Sequence, residues 1–134
     1  MAHLNTSSQS AGEVPALDVP DYRITTQASA ILQYIADLYP ASDLGADSGA
    51  VAQSEFNELI GFLTGDFHPA FWAVFIPNRY TVSRSASALE EAMRAGYIRV
   101  DRAMAYLDSL IGGTDYVYQN KRTVLDSYAY VMAR

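Results

Sequence analysis

Two short stretches of this 134-residue chain combine residue types that could do chemistry. The first is Gly12-Glu13-Val14-Pro15-Ala16-Leu17, followed by Thr26-Gln27-Ala28-Ser29-Ala30-Ile31-Leu32-Gln33-Tyr34. Val14-Pro15 opens an apolar run, and proline is tolerated at the start of a strand because it has no N–H to give to a ladder. It is also the residue before which a cis peptide is least unfavourable. Gln27 stands at the start of a helical pattern, where unbonded backbone N–H groups and the helix dipole favour an anion. A bent peptide, a polar side chain and a helix N-terminus brought together could hold a small carboxylate. The second stretch is Asp66-Phe67-His68-Pro69. His68 is one of only two histidines in the chain, and it sits among aromatic residues, where a packed ring and a proton-handling one are equally good expectations.

These residues need elements to position them. Residues 14–19 read as a short strand, Pro20-Asp21 as a turn and residues 22–25 as a second, alternating strand. The short connection makes the pair an antiparallel hairpin. A hairpin of two strands needs a packing partner, and a helix over residues 27–38 supplies one. Thr25 or Thr26 is its expected N-cap, and Ile31, Leu32, Ile35 and Leu38 form its apolar face. Pro40 ends it. Residues 41–50 turn to Ala, Ser, Asp and Gly and form the expected linker. From Ala52 to Ile76 an apolar face recurs at helical spacing, interrupted by Gly61, Gly65 and Pro69, so a kinked helix or two pieces meeting near His68-Pro69 is expected. A second long helix spans residues 87–111, with Leu89, Met93, Tyr97, Val100, Met104 and Leu107 toward the core and Gly112-Gly113 as its stop. Two long helices with a short connection are expected to pack antiparallel. Thr123-Val124-Leu125-Asp126 has the form of a capping box at the head of a last helix whose apolar pattern runs to the final residue.

Composition narrows the function classes. Half of the residues are hydrophobic, enough for a core. The net charge of −6 argues against a nucleic-acid surface. No cysteine is present, which excludes thiolate catalysis and cysteine metal sites, and two histidines are too few for a histidine-rich zinc site. No apolar run is long enough to span a membrane, and the N-terminal residues lack the order of a signal peptide. Residues 1–11, rich in Ser, Thr, Asn and Gln, read as a tail, and His3 within it as inert. The chain is expected to be cytoplasmic, with no metal, no nucleic acid and no membrane among its partners.

The three motifs together resemble the glutathione S-transferase family, and the Asp66-Phe67-His68 stretch looks most like bacterial members of the beta type. The resemblance implies an α+β, mostly α fold. Residues 12–40 would form a partial thioredoxin-like ββα segment that binds glutathione, residues 41–50 a linker, and residues 51–134 an all-α glutathione transferase C-terminal-type domain, left incomplete. It implies that Val14 offers its backbone to the cysteinyl part of glutathione ahead of a cis Pro15. Gln27 and Ala28, with Ser29 beside them, would meet the γ-glutamyl carboxylate and amine. His68, Phe71 and Trp72 would face a hydrophobic electrophile, with His68 as a possible auxiliary to catalysis. Thr123 and Asp126 would form the structural capping box.

Departures from the family pattern shape what function to expect. Only eleven residues precede Gly12, too few for the strand, helix and strand that carry the family's thiol-activating tyrosine, serine or cysteine, so no catalytic residue is identified. Ala28 stands where a serine is usual, and Ser29 would point about 100° further round the helix. Pro69 replaces a lysine, Gln119-Asn120 stand where glycines are common, and the helices that would follow Arg134 are missing. The expected function is transfer of glutathione thiolate, as co-substrate, to electrophiles, by a homodimer. A non-catalytic glutathione-binding remnant and a helical dimerisation module are the alternatives.

Overall fold

The computed structural model describes residues 14–21 and 23–134; the expectations for residues 1–13 and for Tyr22 lie outside them. The chain divides into two compact units, residues 1–45 and 46–134.

In the first unit, β1 (Ala16–Asp18) and β2 (Ile24–Thr26) pair antiparallel, with Ala16 opposite Thr26 and Asp18 opposite Ile24. Pro20 and Asp21 make the turn, Asp21 with a positive φ of 60°, a conformation that aspartate tolerates better than most residues. Helix α1 (Ala28–Leu38) follows at once, and Ile31 and Ala36 are its buried residues. Its cap differs from expectation. Thr26 is held in the ladder opposite Ala16, so neither Thr25 nor Thr26 is free to cap, and Gln27 takes the N-cap position, not a place in the first turn. A single 3₁₀ turn, Pro40–Ser42, ends the helical run.

The second unit is helical. Helix α2 (Ala50–Phe62) runs straight through the exposed Gly61 and widens into a π turn, Leu63–Phe67. Pro69 explains the break. It offers no N–H to the helix ladder, and the His68 N–H bonds to the Leu63 carbonyl, five residues back. The short helices α3 (His68–Ala70) and α4 (Trp72–Phe75) continue the same path. After a 3₁₀ turn at Pro77–Arg79, Ser85 caps helix α5 (Ala86–Ile111), its hydroxyl accepting from the Ala88 N–H at 3.3 Å. Gly112, at φ 54°, stops it. Helix α6 (Val124–Ala133) closes the unit.

The core of this unit consists of Phe56, Leu59, Ile60, Leu63, Phe67, Leu107, Tyr118 and Leu125. Phe56 and Tyr118 meet edge to face at 5.4 Å. Helix α5 turns a different face inward than its largest residues suggest. Gly96, Ala103 and Leu107 are buried, whereas Tyr97 and Met104 are exposed. The reason is close approach to α4. A Cβ on Gly96 would lie 2.9 Å from Val74 Cγ2 and 3.1 Å from the Ala73 carbonyl carbon, so only the smallest side chain fits that contact. Before α6, the chain reverses through Gln119 and Asn120, both with positive φ (47° and 57°), between the bridged residues Tyr118 and Lys121. The Lys121 ammonium and the Asp47 carboxylate, 2.8 Å apart, tie that turn to the residues ahead of α2.

Candidate functional site

The residues expected to hold a small carboxylate all lie in the first unit. The Val14–Pro15 peptide is cis, and both residues are exposed. The register that sets Ala16 against Thr26 carries Pro15 and Gln27 to the same end of the hairpin. Gln27 has φ 72° and ψ 122°, a backbone conformation that disfavours an L side chain. Its carbonyl accepts the first helical hydrogen bond, from the Ile31 N–H at 3.1 Å, and no side chain caps the helix. The N–H groups of Ala28, Ser29 and Ala30 therefore precede the first bonded donor and point out of the helix end. The Ser29 carbonyl is tied back into the helix, accepting from the Gln33 amide at 3.4 Å. The result is an exposed strand start beside a helix N-terminus with open donors, suited to an extended ligand with an anionic end.

The second group lies in the helical unit. His68, the first residue of α3, is half-buried. Its Nδ1 lies 2.6 Å from the Tyr128 Oη on α6, and its ring meets Trp72 edge to face at 5.9 Å. Phe71 sits edge to face on the buried Phe67 at 5.4 Å and stacks on Phe75 at 6.2 Å. Trp72 is 42% and Phe75 73% exposed, so His68, Trp72 and the Phe71–Phe75 pair present a partly open aromatic surface. Neither of two cavities in this unit is lined by His68, Phe71 or Trp72. One, of about 420 Å³, is lined by Phe62, Asp66, Ala70, Arg99, Arg102 and Tyr106 among others. The other, of about 320 Å³, lies between the end of α5 and α6.

Asp126 and Thr123 cap α6 reciprocally. The Thr123 N–H donates to Asp126 Oδ2 at 2.6 Å, and the Leu125 N–H donates to Thr123 Oγ1 at 3.2 Å. Asp126 Oδ1 also accepts from the Val117 N–H at 2.8 Å, a bond that a local capping motif does not foretell.

Tyr128 is the site residue that sequence reasoning missed. It lies 60 positions from His68, and no local pattern joins the two. Burial pushes its phenol above the ordinary value of 10.0. Among the described residues no group of three or more His, Cys, Asp or Glu could hold a metal ion, and no helix is long and apolar enough to cross a membrane.

The fold is a hairpin-and-helix segment of thioredoxin-like type followed by an all-α unit. No protein-family profile matches the chain, but individual relatives do. A glutathione S-transferase, GST-4.5, of Xanthomonas campestris pv. campestris is 35% identical over 129 residues, covering 92% of this chain and 59% of that protein. The structure of a sphingomonad glutathione S-transferase complexed with glutathione superposes with a TM-score of 0.79 at 33% identity, over 96% of this chain and 59% of the other. A beta class enzyme of Sphingomonas chungbukensis gives the same TM-score and coverage at 28% identity. In sequence and fold the chain is thus similar to bacterial glutathione S-transferases, one of beta class among them, and it spans about three-fifths of the length of the relatives it matches.

Proposed function

We propose that this chain binds glutathione through Val14, Pro15 and the helix start at Gln27, Ala28 and Ser29, and that it receives a hydrophobic electrophile against His68, Phe71 and Trp72. Residues 12–40 serve as the glutathione-binding segment, residues 41–50 as a linker and residues 51–134 as the helical domain. The reaction is conjugation, in which the glutathione thiolate attacks an electrophilic carbon. The observation that supports this most is local. The hairpin register carries Pro15 and Gln27 to one end, next to backbone donors that nothing in the helix uses. A carboxylate there gains from the helix dipole and those N–H groups, about 0.3–1 kcal/mol for an exposed site.

The chain works in the cytoplasm as a homodimer. Self-association is supported by large apolar side chains left exposed on the helical unit, Phe75, Tyr97, Ile98, Tyr130 and Val131 among them. Retention on glutathione resin, with conjugation of a generic aromatic electrophile assayed in parallel, tests the proposal. Retention on the resin is expected. A chain that flows through the resin and turns nothing over overturns it and leaves a helical association module.

A further inference from the structure

We propose that Tyr128 is the positioning residue of His68, donating its hydroxyl hydrogen to Nδ1 so that the imidazole carries its own proton on Nε2 and presents an N–H outward. The geometry gives the contact. Nδ1 and the phenolic oxygen are 2.6 Å apart, short for a bond between neutral groups. The direction of donation follows from chemistry. An imidazole nitrogen is a far better acceptor than a phenol oxygen, and a neutral imidazole has one nitrogen to donate and one to accept. Burial favours the protonated Tyr128 phenol, so it has a hydrogen to give to the bare nitrogen of a neutral imidazole.

Two features fix the pair in place. The π turn adds a residue to the path of α2, which rotates everything after it by about 100° relative to an unbroken helix and brings His68 round to α6. On α6, Tyr128 adjoins the buried Ala129 and stands one turn from the capped, buried Val124 and Leu125. The Trp72 ring edge closes another side of the imidazole. Among the described residues Nε2 has no hydrogen-bond partner, and no fully buried side-chain nitrogen or oxygen atom lacks one, so Nε2 is not sealed off.

The consequence is a fixed donor, not a base. His68 would favour an electrophile with an accepting oxygen, such as a nitro or carbonyl group, on which negative charge gathers as a thiolate adds. That choice of acceptor rests on the electrophile pocket proposed above; the tautomer does not.

The test is ¹⁵N–¹H correlation of the His68 side chain in the unliganded chain, at a pH where the ring is neutral. The expected pattern has a protonated Nε2 and a bare, hydrogen-bonded Nδ1. One hydrogen bond of ordinary strength favours that tautomer by about tenfold, so Tyr128→Phe should let the protonated fraction of Nδ1 rise. A proton on Nδ1 in the wild-type chain overturns the proposal without any variant being needed, as does a pattern that Tyr128→Phe leaves unchanged. Nitrobenzene should then move the Nε2–H resonance, while toluene, similar in shape but without an acceptor, should not. Equal effects of the two, or no effect of nitrobenzene, overturn the donor role. None of these readouts requires glutathione, so their failure is distinct from failure of the glutathione site.

Discussion

Replacing Asp126 by alanine removes three hydrogen bonds at once. Its carboxylate accepts from the Thr123 N–H at 2.6 Å, the Thr123 hydroxyl at 3.3 Å and the Val117 N–H at 2.8 Å. Thr123 and Val117 are both buried, so water replaces the lost acceptor poorly at either N–H. A buried donor left unsatisfied costs about 1–3 kcal/mol, and two of them cost about 2–6 kcal/mol. Loss of an acidic group from the first turn of α6 adds about 0.3–1 kcal/mol. We expect a total of about 3–5 kcal/mol, a large part of the ~5–15 kcal/mol of a typical domain. Urea denaturation followed by circular dichroism measures it, and with a slope of about 1–3 kcal/mol/M the midpoint should fall by about 1–5 M. Thr123→Ala removes the hydroxyl's contacts with the Leu125 and Asp126 N–H groups and its weak one with Asp126 Oδ2, and should cost about 0.5–2 kcal/mol. The double variant should cost less than the sum of the two, because the residues share a network. A midpoint for Asp126→Ala within about 0.3 M of wild type, a loss of less than about 1 kcal/mol, would contradict the argument and mean that α6 is held by its apolar contacts alone.

Other outcomes follow from other contacts. Gly96→Ala places a methyl group 2.9 Å from Val74 Cγ2 and 3.1 Å from the Ala73 backbone, and should destabilise by about 1–3 kcal/mol in a thermal melt, although alanine is the better helix former. Tyr128 has a raised folded-state pKa, so its contribution is fully present below its unfolded value of 10.0 and is lost as pH rises through the folded value. Urea midpoints taken below and above pH 10 should therefore fall further for wild type than for Tyr128→Phe. Gln27→Gly relieves a backbone at φ 72° that costs a non-glycine residue about 1–3 kcal/mol. After the extra freedom glycine gives the unfolded chain, its melting temperature should still rise.

Much of the fold was legible because local chemistry and global fold agree. The proline turn between two β-prone runs, the Thr123–Asp126 box and the glycine stop at Gly112 each act over a few residues, and periodicity reports such features well. Misplaced details share a physical cause, since in each of them a tertiary contact outweighs a local preference. Thr26 is a better cap than Gln27 by type, but the ladder pairs it with Ala16. Tyr97 and Met104 are the more hydrophobic choices for the inner face of α5, but the approach of α4 selects Gly96. The break in the long helix follows the N–H that Pro69 lacks, and Gly61, exposed and without neighbours around a would-be Cβ, does not disturb it. The His68–Tyr128 pair spans 60 positions and arises only once the π turn and α6 are in place. The strain at Gln27 was likewise invisible, because glutamine carries no sequence signature for a positive φ. An unfavourable backbone held beside open helix donors fits the binding role proposed for Gln27.

Isothermal titration of glutathione into the 134-residue chain and into its Gln27→Gly variant tests the central claim most directly. Saturable binding to wild type is expected, weakened about tenfold or more in the variant by loss of a polar side-chain contact, even as that variant melts higher. Absence of binding to wild type, or equal affinity in the two, would contradict it.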